Sequence, residues 1–137
     1  MTPTQALTAL QSFVSLGQIR AMIAGCRGEE GSYFRAKLVE YGDRVCAMPE
    51  TYAQDGMGDQ AVAHLHYFKG SGDWYITEVD STRDGEGQIQ AFGLADLGYG
   101  TELGYISIAE LIGNGVELDL HFTPQTLAEL KDTRQAA

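Results

Sequence analysis

This sequence is short of basic residues, cysteine and proline, and it has no long apolar run. Each shortage excludes something. Nine Lys and Arg stand against nineteen Asp and Glu, a net charge of −10. No basic patch interleaved with aromatics exists, so direct nucleic-acid binding is not expected. The two cysteines, Cys26 and Cys46, lie in helical patterns with no Cys-x-x-Cys. That argues for reduced thiols in the cytoplasm rather than a disulfide, metal or redox site. No stretch approaches the roughly 20 apolar residues of a membrane span. The N-terminal MTPTQALTAL carries no Lys or Arg, so a signal peptide is not expected either. There is no Gly-x-Ser-x-Gly, and no Lys-Ser/Thr follows the Gly-x-Gly steps at Gly56, Gly70 and Gly98. A nucleophile elbow and a phosphate loop are thereby set aside.

What is present suits one globular domain over residues 1–137, since the chain is 44% hydrophobic and 20% charged. The charge is unevenly placed. Residues 1–54 are balanced, with five acids and five bases, whereas residues 55–137 hold fourteen acids against Lys69, Arg83, Lys131 and Arg134. That field repels nucleic acid and anionic membranes and draws basic partners. The seventeen glycines fall mostly between periodic segments, as turn residues.

The part up to about residue 50 reads as helical and that from 55 to 134 as β-rich. Thr2-Pro3-Thr4-Gln5 and Ser15-Leu16-Gly17-Gln18 are helix-opening capping boxes. From Glu29, the residues Phe34, Leu38, Tyr41, Val45 and Met48 recur at helical spacing until Pro49 stops them. Residues 50–60 are a loop of Asp and Gly. Ala61–Lys69 then alternates, with Val62, His64, His66 and Phe68 on one face, and Gly70-Ser71-Gly72 joins it to a strand at Asp73–Asp80. A polar loop at Ser81–Gly87 leads to a strand at Gln88–Leu94. Gly98-Tyr99-Gly100 turns into Glu102–Ile106, and Ser107-Ile108-Ala109-Glu110 opens a short helix. Val116, Leu118, Leu120 and Phe122 alternate with Glu117, Asp119 and His121 as a strand with one wet face. Thr123-Pro124 is read as the cap of the last helix, with Arg134–Ala137 fraying beyond it. The expected fold class is α+β: N-terminal helices packed on a four- to five-stranded antiparallel or mixed sheet, with short helices at 107–113 and 124–133. Strand order is open.

The blocks AVAHLHYFKGSGDWYITEVD, QAFGLADLGYGTELGYISIAEL and VELDLHFTPQTL stand in an order that resembles the family known as domain of unknown function 2958, over about residues 55–130. GEEGSYFRAKLVEYGDRV and PETYAQDGMGD resemble its extended form with N-terminal helices. The resemblance implies an origin on proteobacterial plasmids and integrative elements, often beside antirestriction and conjugation genes. It brings no catalytic residues.

Three functions are carried forward. The first is an acidic accessory protein of a mobile element. It would bind or inhibit a basic host or element-encoded protein, such as a nucleic-acid-binding or defence protein, through a nucleic-acid-like row of carboxylates. Its surface would be Asp73, Trp74, Tyr75, Glu78, Asp80, Glu102, Tyr105, Glu117 and Asp119, aromatics giving contact area and acids giving steering. The second is a small metal-dependent hydrolase on His64, His66 and His121 with nearby acids, the weaker pattern, so no metal or cofactor is expected. Paired carboxylates (Glu78 with Asp80, Glu117 with Asp119) suggest glycosidase chemistry only if they share a cleft, and a solvated sheet face is the plainer expectation. The third is a small-ligand module or a homodimer.

Overall fold

The computed structural model describes residues 1–81 and 87–136, the last three of these by backbone alone. Most of the polar loop expected at Ser81–Gly87, Arg83 included, lies outside the described residues.

Local chemistry sets the helix starts. In α1 (Pro3–Leu10) the Gln5 N–H donates to Thr2 Oγ1 and the Thr2 N–H donates to Gln5 Oε1, the reciprocal bonds of a capping box. In α2 (Leu16–Cys26) only half of the expected box forms. Ser15 accepts from the Gln18 N–H at 3.2 Å, but the Gln18 side chain leaves the helix. It donates to Leu118 O at 2.7 Å and accepts from the Leu118 N–H at 2.9 Å. The third helix, α3 (Gly31–Ala47), buries Leu38, Tyr41 and Val45 at the spacing the sequence shows.

The sheet is antiparallel. Its strands are β2 (Leu65–Lys69), β3 (Gly72–Glu78), β4 (Ala91–Asp96), β5 (Thr101–Ile106) and β6 (Glu117–Leu118), in the order β5-β4-β3-β2-β6. A second pair joins β1 (Val62–Ala63) to β7 (Gln125–Thr126). The helix α4 (Ile108–Gly113) starts at the expected Ser107 cap, and α5 (Leu127–Ala136) closes the chain. One face of the sheet packs on the N-terminal helices through Leu10, Phe13, Val14, Leu38, Leu65, Tyr67, Ile76 and Leu118. Each such buried side chain contributes on the order of 2 kcal/mol. The other face is covered in its middle by Phe122, Leu127 and Leu130, which meet Tyr75 and Leu94.

Several boundaries differ from the sequence reading, each for a physical reason. The strand expected at Ala61–Lys69 divides at His64, because β1 turns aside to pair with β7. The strand expected from Gln88 begins at Ala91, because the Gln88 side chain accepts from the Asp80 N–H at 2.7 Å. The strand expected through Phe122 stops at Leu118. Beyond it, Tyr41 Oη lies 2.9 Å from Asp119 O and accepts from the Phe122 N–H, and Arg44 donates to Phe122 O at 2.8 Å. Helix α3 thus holds residues 119–122 away from the ladder, and burial raises the Tyr41 phenol above its ordinary value while Arg44 opposes the rise. The last helix starts at Leu127, not at Pro124, because Thr126 and Glu129 form the capping bonds, and its backbone runs to Ala136.

Both cysteines are free, Cys26 half-buried and Cys46 exposed. Among the described residues no helix is long and apolar enough to cross a membrane.

A carboxylate-floored cavity as the candidate functional site

The site begins with a break in periodicity. Ile76 pairs with Gly93, yet Glu78 pairs with Phe92, so β3 carries one extra residue against β4. Strict alternation would put Glu78 on the face of Ile76, under the helices. The bulge turns it to the opposite face, beside Phe92. Gly93 makes room for the bulge: a Cβ there would stand 2.0 Å from Tyr75 O.

The loop from Glu50 to Gly58 forms the facing wall and is clamped at two points. Glu50 bridges to Val79, the Thr51 N–H donates to Val79 O at 2.9 Å, and the Thr51 hydroxyl lies 2.8 Å from Gln90 O. Further along, Gln54 Nε2 donates to Val62 O and Thr77 O, and Gln54 Oε1 accepts from the Val62 N–H at 2.7 Å. Between the clamps sits Tyr52 at φ +79°. A bulky side chain enters the left-handed region at a cost of about 1–2 kcal/mol. Its hydroxyl meets that of Tyr105, with the rings perpendicular and their centroids 6.4 Å apart. Tyr105 stands equally edge-on to Phe92, at 5.7 Å. The Tyr52 hydroxyl raises the Tyr105 phenol above its ordinary value.

Loop and sheet enclose a cavity of about 370 Å³, a volume suited to a small ligand. Tyr52, Phe92, Leu103 and Leu127 give it apolar walls, while Asp55, Thr77 and Glu78 supply polar groups. Glu78 is 3% exposed. One oxygen accepts from the Gln54 N–H at 3.3 Å and the other from the Thr77 hydroxyl. A carboxylate offers about four acceptor positions, and among the described residues Glu78 has no ion-pair partner. His64 is near enough to feel its charge. However, burial and Arg44 lower the His64 pKa below its ordinary value, and Glu78 only partly opposes them. Burial and Arg44 thus disfavour the charged imidazole beside Glu78.

The other acids separate into distinct settings. The expectation that Glu78 and Asp80 share a solvated face is corrected. Glu78 floors the cavity, and Asp80, 7% exposed, accepts from the backbone N–H groups of Ile89 and Gln90. Trp74 and Tyr75 do not form an exposed aromatic surface either. They lie on opposite faces, Trp74 against the helix-side core and Tyr75 buried in the other. Glu102 and Tyr105 are exposed on β5, an outer strand of the sheet. Asp73 and Asp119 are brought together by His66, whose Nε2 lies 2.8 Å from Asp73 and Nδ1 2.9 Å from Asp119. The imidazole stacks on Tyr75 at 4.6 Å. One cross-strand row on this face reads Thr101, Asp96, Asp73, Phe68, Glu117, so Glu117 stands next to exposed Phe68.

The three histidines do not converge. His66 lies between carboxylates, His64 beside Arg44, and exposed His121 donates its backbone N–H to Asp119. Among the described residues no group of three or more His, Cys, Asp or Glu is arranged to hold a metal. A second hollow, about 440 Å³, lies between Trp74 and α4; in its wall Ser107 accepts from the Glu110 N–H, the Asn114 amide donates to Glu110 O, and Lys69 donates to Asn114 O.

Residues the sequence reading did not single out are Tyr52, Gln54, Thr77, Phe92 and Leu103. The available signal was the eleven-residue connection 50–60, longer than most and therefore a candidate for function.

Fold and site define an α+β domain with a carboxylate-floored cavity between one sheet face and a strained loop. The family described as protein of unknown function (DUF2958) matches residues 34–135, and the chain belongs to it. The match takes in β1 to β7, α4 and most of α3 and α5, including every residue of the cavity. Neither a curated protein nor a solved structure matches the chain.

Proposed function

We propose that this chain is a non-catalytic binding domain that receives a small ligand in the cavity between loop 50–58 and the sheet. One observation carries the reading. Glu78 is a nearly fully buried carboxylate in a cavity wall, with no cation beside it among the described residues. A carboxylate buried without an ion pair is costly and is kept where a site needs it. The strained Tyr52 backbone, held by clamps on either side, supports the same reading. The acidity of residues 55–137 would raise the local concentration of a cationic ligand.

A second reading is kept for one observation. Asp73, Glu117 and Asp119 gather near exposed Phe68, a surface suited to a basic protein segment. On that reading the chain serves a mobile element by occupying a basic host or element-encoded partner.

Amide-resolved NMR titration of the full chain separates the two. Small organic fragments are expected to shift Tyr52, Gln54, Thr77, Glu78 and Phe92 together. If only a lysine-rich peptide causes shifts, and these fall on Phe68, Glu117 and Asp119, the second reading replaces the first.

A further inference from the structure

We propose that the cavity takes an organic ammonium ion, a positively charged nitrogen carrying alkyl groups, with its charge at Glu78 and its alkyl groups against Tyr52 and Phe92. The inference rests on reading the cavity as a binding site, and it adds the chemical class of the ligand.

Three features of the wall select that class. The first is charge. Of the described residues lining the cavity, Asp55 and Glu78 are acidic and none is Lys, Arg or His. An anionic ligand would meet only like charge, buried in Glu78, where little water screens it.

The second is hydrogen-bond polarity. The side-chain donors of Gln54 and Thr77 are already used within the wall. Gln54 gives both amide hydrogens to backbone carbonyls, and the Thr77 hydroxyl is satisfied by Glu78 and Phe92 O. The surplus is of acceptors, on Glu78. A ligand complementary to Glu78 brings donors or positive charge.

The third is aromatic geometry. Tyr52 and Phe92 line the cavity, and Tyr105 stands perpendicular to both, at 84° and 88°. Two aromatic rings in the wall beside a carboxylate offer a cation π systems along with a counter-charge, the combination that suits alkylated ammonium groups. Tyr105, outside the lining, holds the Tyr52 hydroxyl through its own. Leu103 and Leu127 give the alkyl part an apolar wall.

The test uses isothermal titration of the full chain with choline, its uncharged carbon isostere dimethylbutanol, and butyrate. Choline is expected to bind at least about tenfold more tightly than dimethylbutanol, from cation–π attraction and the Glu78 charge together, and butyrate is expected not to bind. Glu78→Gln should equalise choline and dimethylbutanol. Tyr52→Ala, at a largely exposed side chain, should weaken choline by about tenfold with the protein still folded by circular dichroism. If dimethylbutanol binds as well as choline to the unaltered protein, the ammonium assignment is overturned and the binding-site reading stands. If none of the three binds, and the fragment titration also leaves the cavity residues unshifted, both fall.

Discussion

Glu78→Gln is expected to raise the thermal stability of the ligand-free protein while removing its preference for a cation. The side chain is 3% exposed and has no ion-pair partner among the described residues. Its charge is supported only by the Gln54 N–H and the Thr77 hydroxyl. Glutamine has the same shape and keeps an oxygen to accept from the Gln54 N–H, and its amide nitrogen then donates to the Thr77 hydroxyl, which donates in turn to Phe92 O. Replacing a buried carboxylate that has two hydrogen bonds and no ion pair by an amide of the same shape is worth about 1–2 kcal/mol. For a chain of this length that is a rise in Tm of roughly 3–8 °C by calorimetry. A fall in Tm of similar size would show that the charge is compensated inside the fold and that Glu78 is a structural residue. Gain of stability with loss of binding is what a preorganised site predicts.

Gly93→Ala is expected to give the largest loss of stability of any single methyl added to the sheet. The new Cβ would stand 2.0 Å from Tyr75 O, 2.9 Å from Tyr75 C and 3.0 Å from Ile76 Cα. All three are backbone atoms of the neighbouring strand, so no side-chain rotation relieves the clash. The central β3–β4 ladder must open or the bulge between Ile76 and Glu78 must move. We expect a loss of about 3–5 kcal/mol in urea denaturation, against a total of about 5–15 kcal/mol for a domain. Moving the bulge would also turn Glu78 out of the cavity, so any folded fraction should have lost ligand binding. A loss under about 1 kcal/mol would mean that the strands adjust freely and that the bulge does not depend on Gly93.

How much of this was legible depends on how local each cause is. The starts of α1 and α4 were readable because a capping box lies within four residues. So was the stripe Leu38, Tyr41, Val45, because one helix face carries it, with Met48 buried just past the helix end. The α+β class followed from the change of period after residue 60. The start of α5 was misplaced because Thr123-Pro124 and Thr126 with Glu129 are both start signals, and pairing of Gln125–Thr126 with Val62–Ala63 decides between them. That pairing joins residues over sixty apart and leaves no mark in the local pattern.

Three glutamines make the same point. In the sequence Gln18 reads as the closing residue of a capping box, Gln54 as a loop residue and Gln88 as the start of a strand. Each instead supplies its amide to the backbone of another element, at Leu118, at Val62 and Thr77, and at Asp80 respectively. Glutamine does this well because one side chain offers both a donor and an acceptor. The acids were legible as a sum and not as a surface. One bulge sends Glu78 into a cavity, and one imidazole gathers Asp73 and Asp119. Neither follows from alternation, and alternation was the rule that had put Glu78 and Asp80 together.

The most direct measurement is a crystal structure of the full chain soaked with choline. The account predicts the trimethylammonium head within about 6 Å of the Tyr52 and Phe92 ring centroids, nearest to Glu78, with Tyr52 still in its left-handed conformation. A ligand bound with its hydroxyl end at Glu78, or bound only elsewhere on the chain, would contradict it.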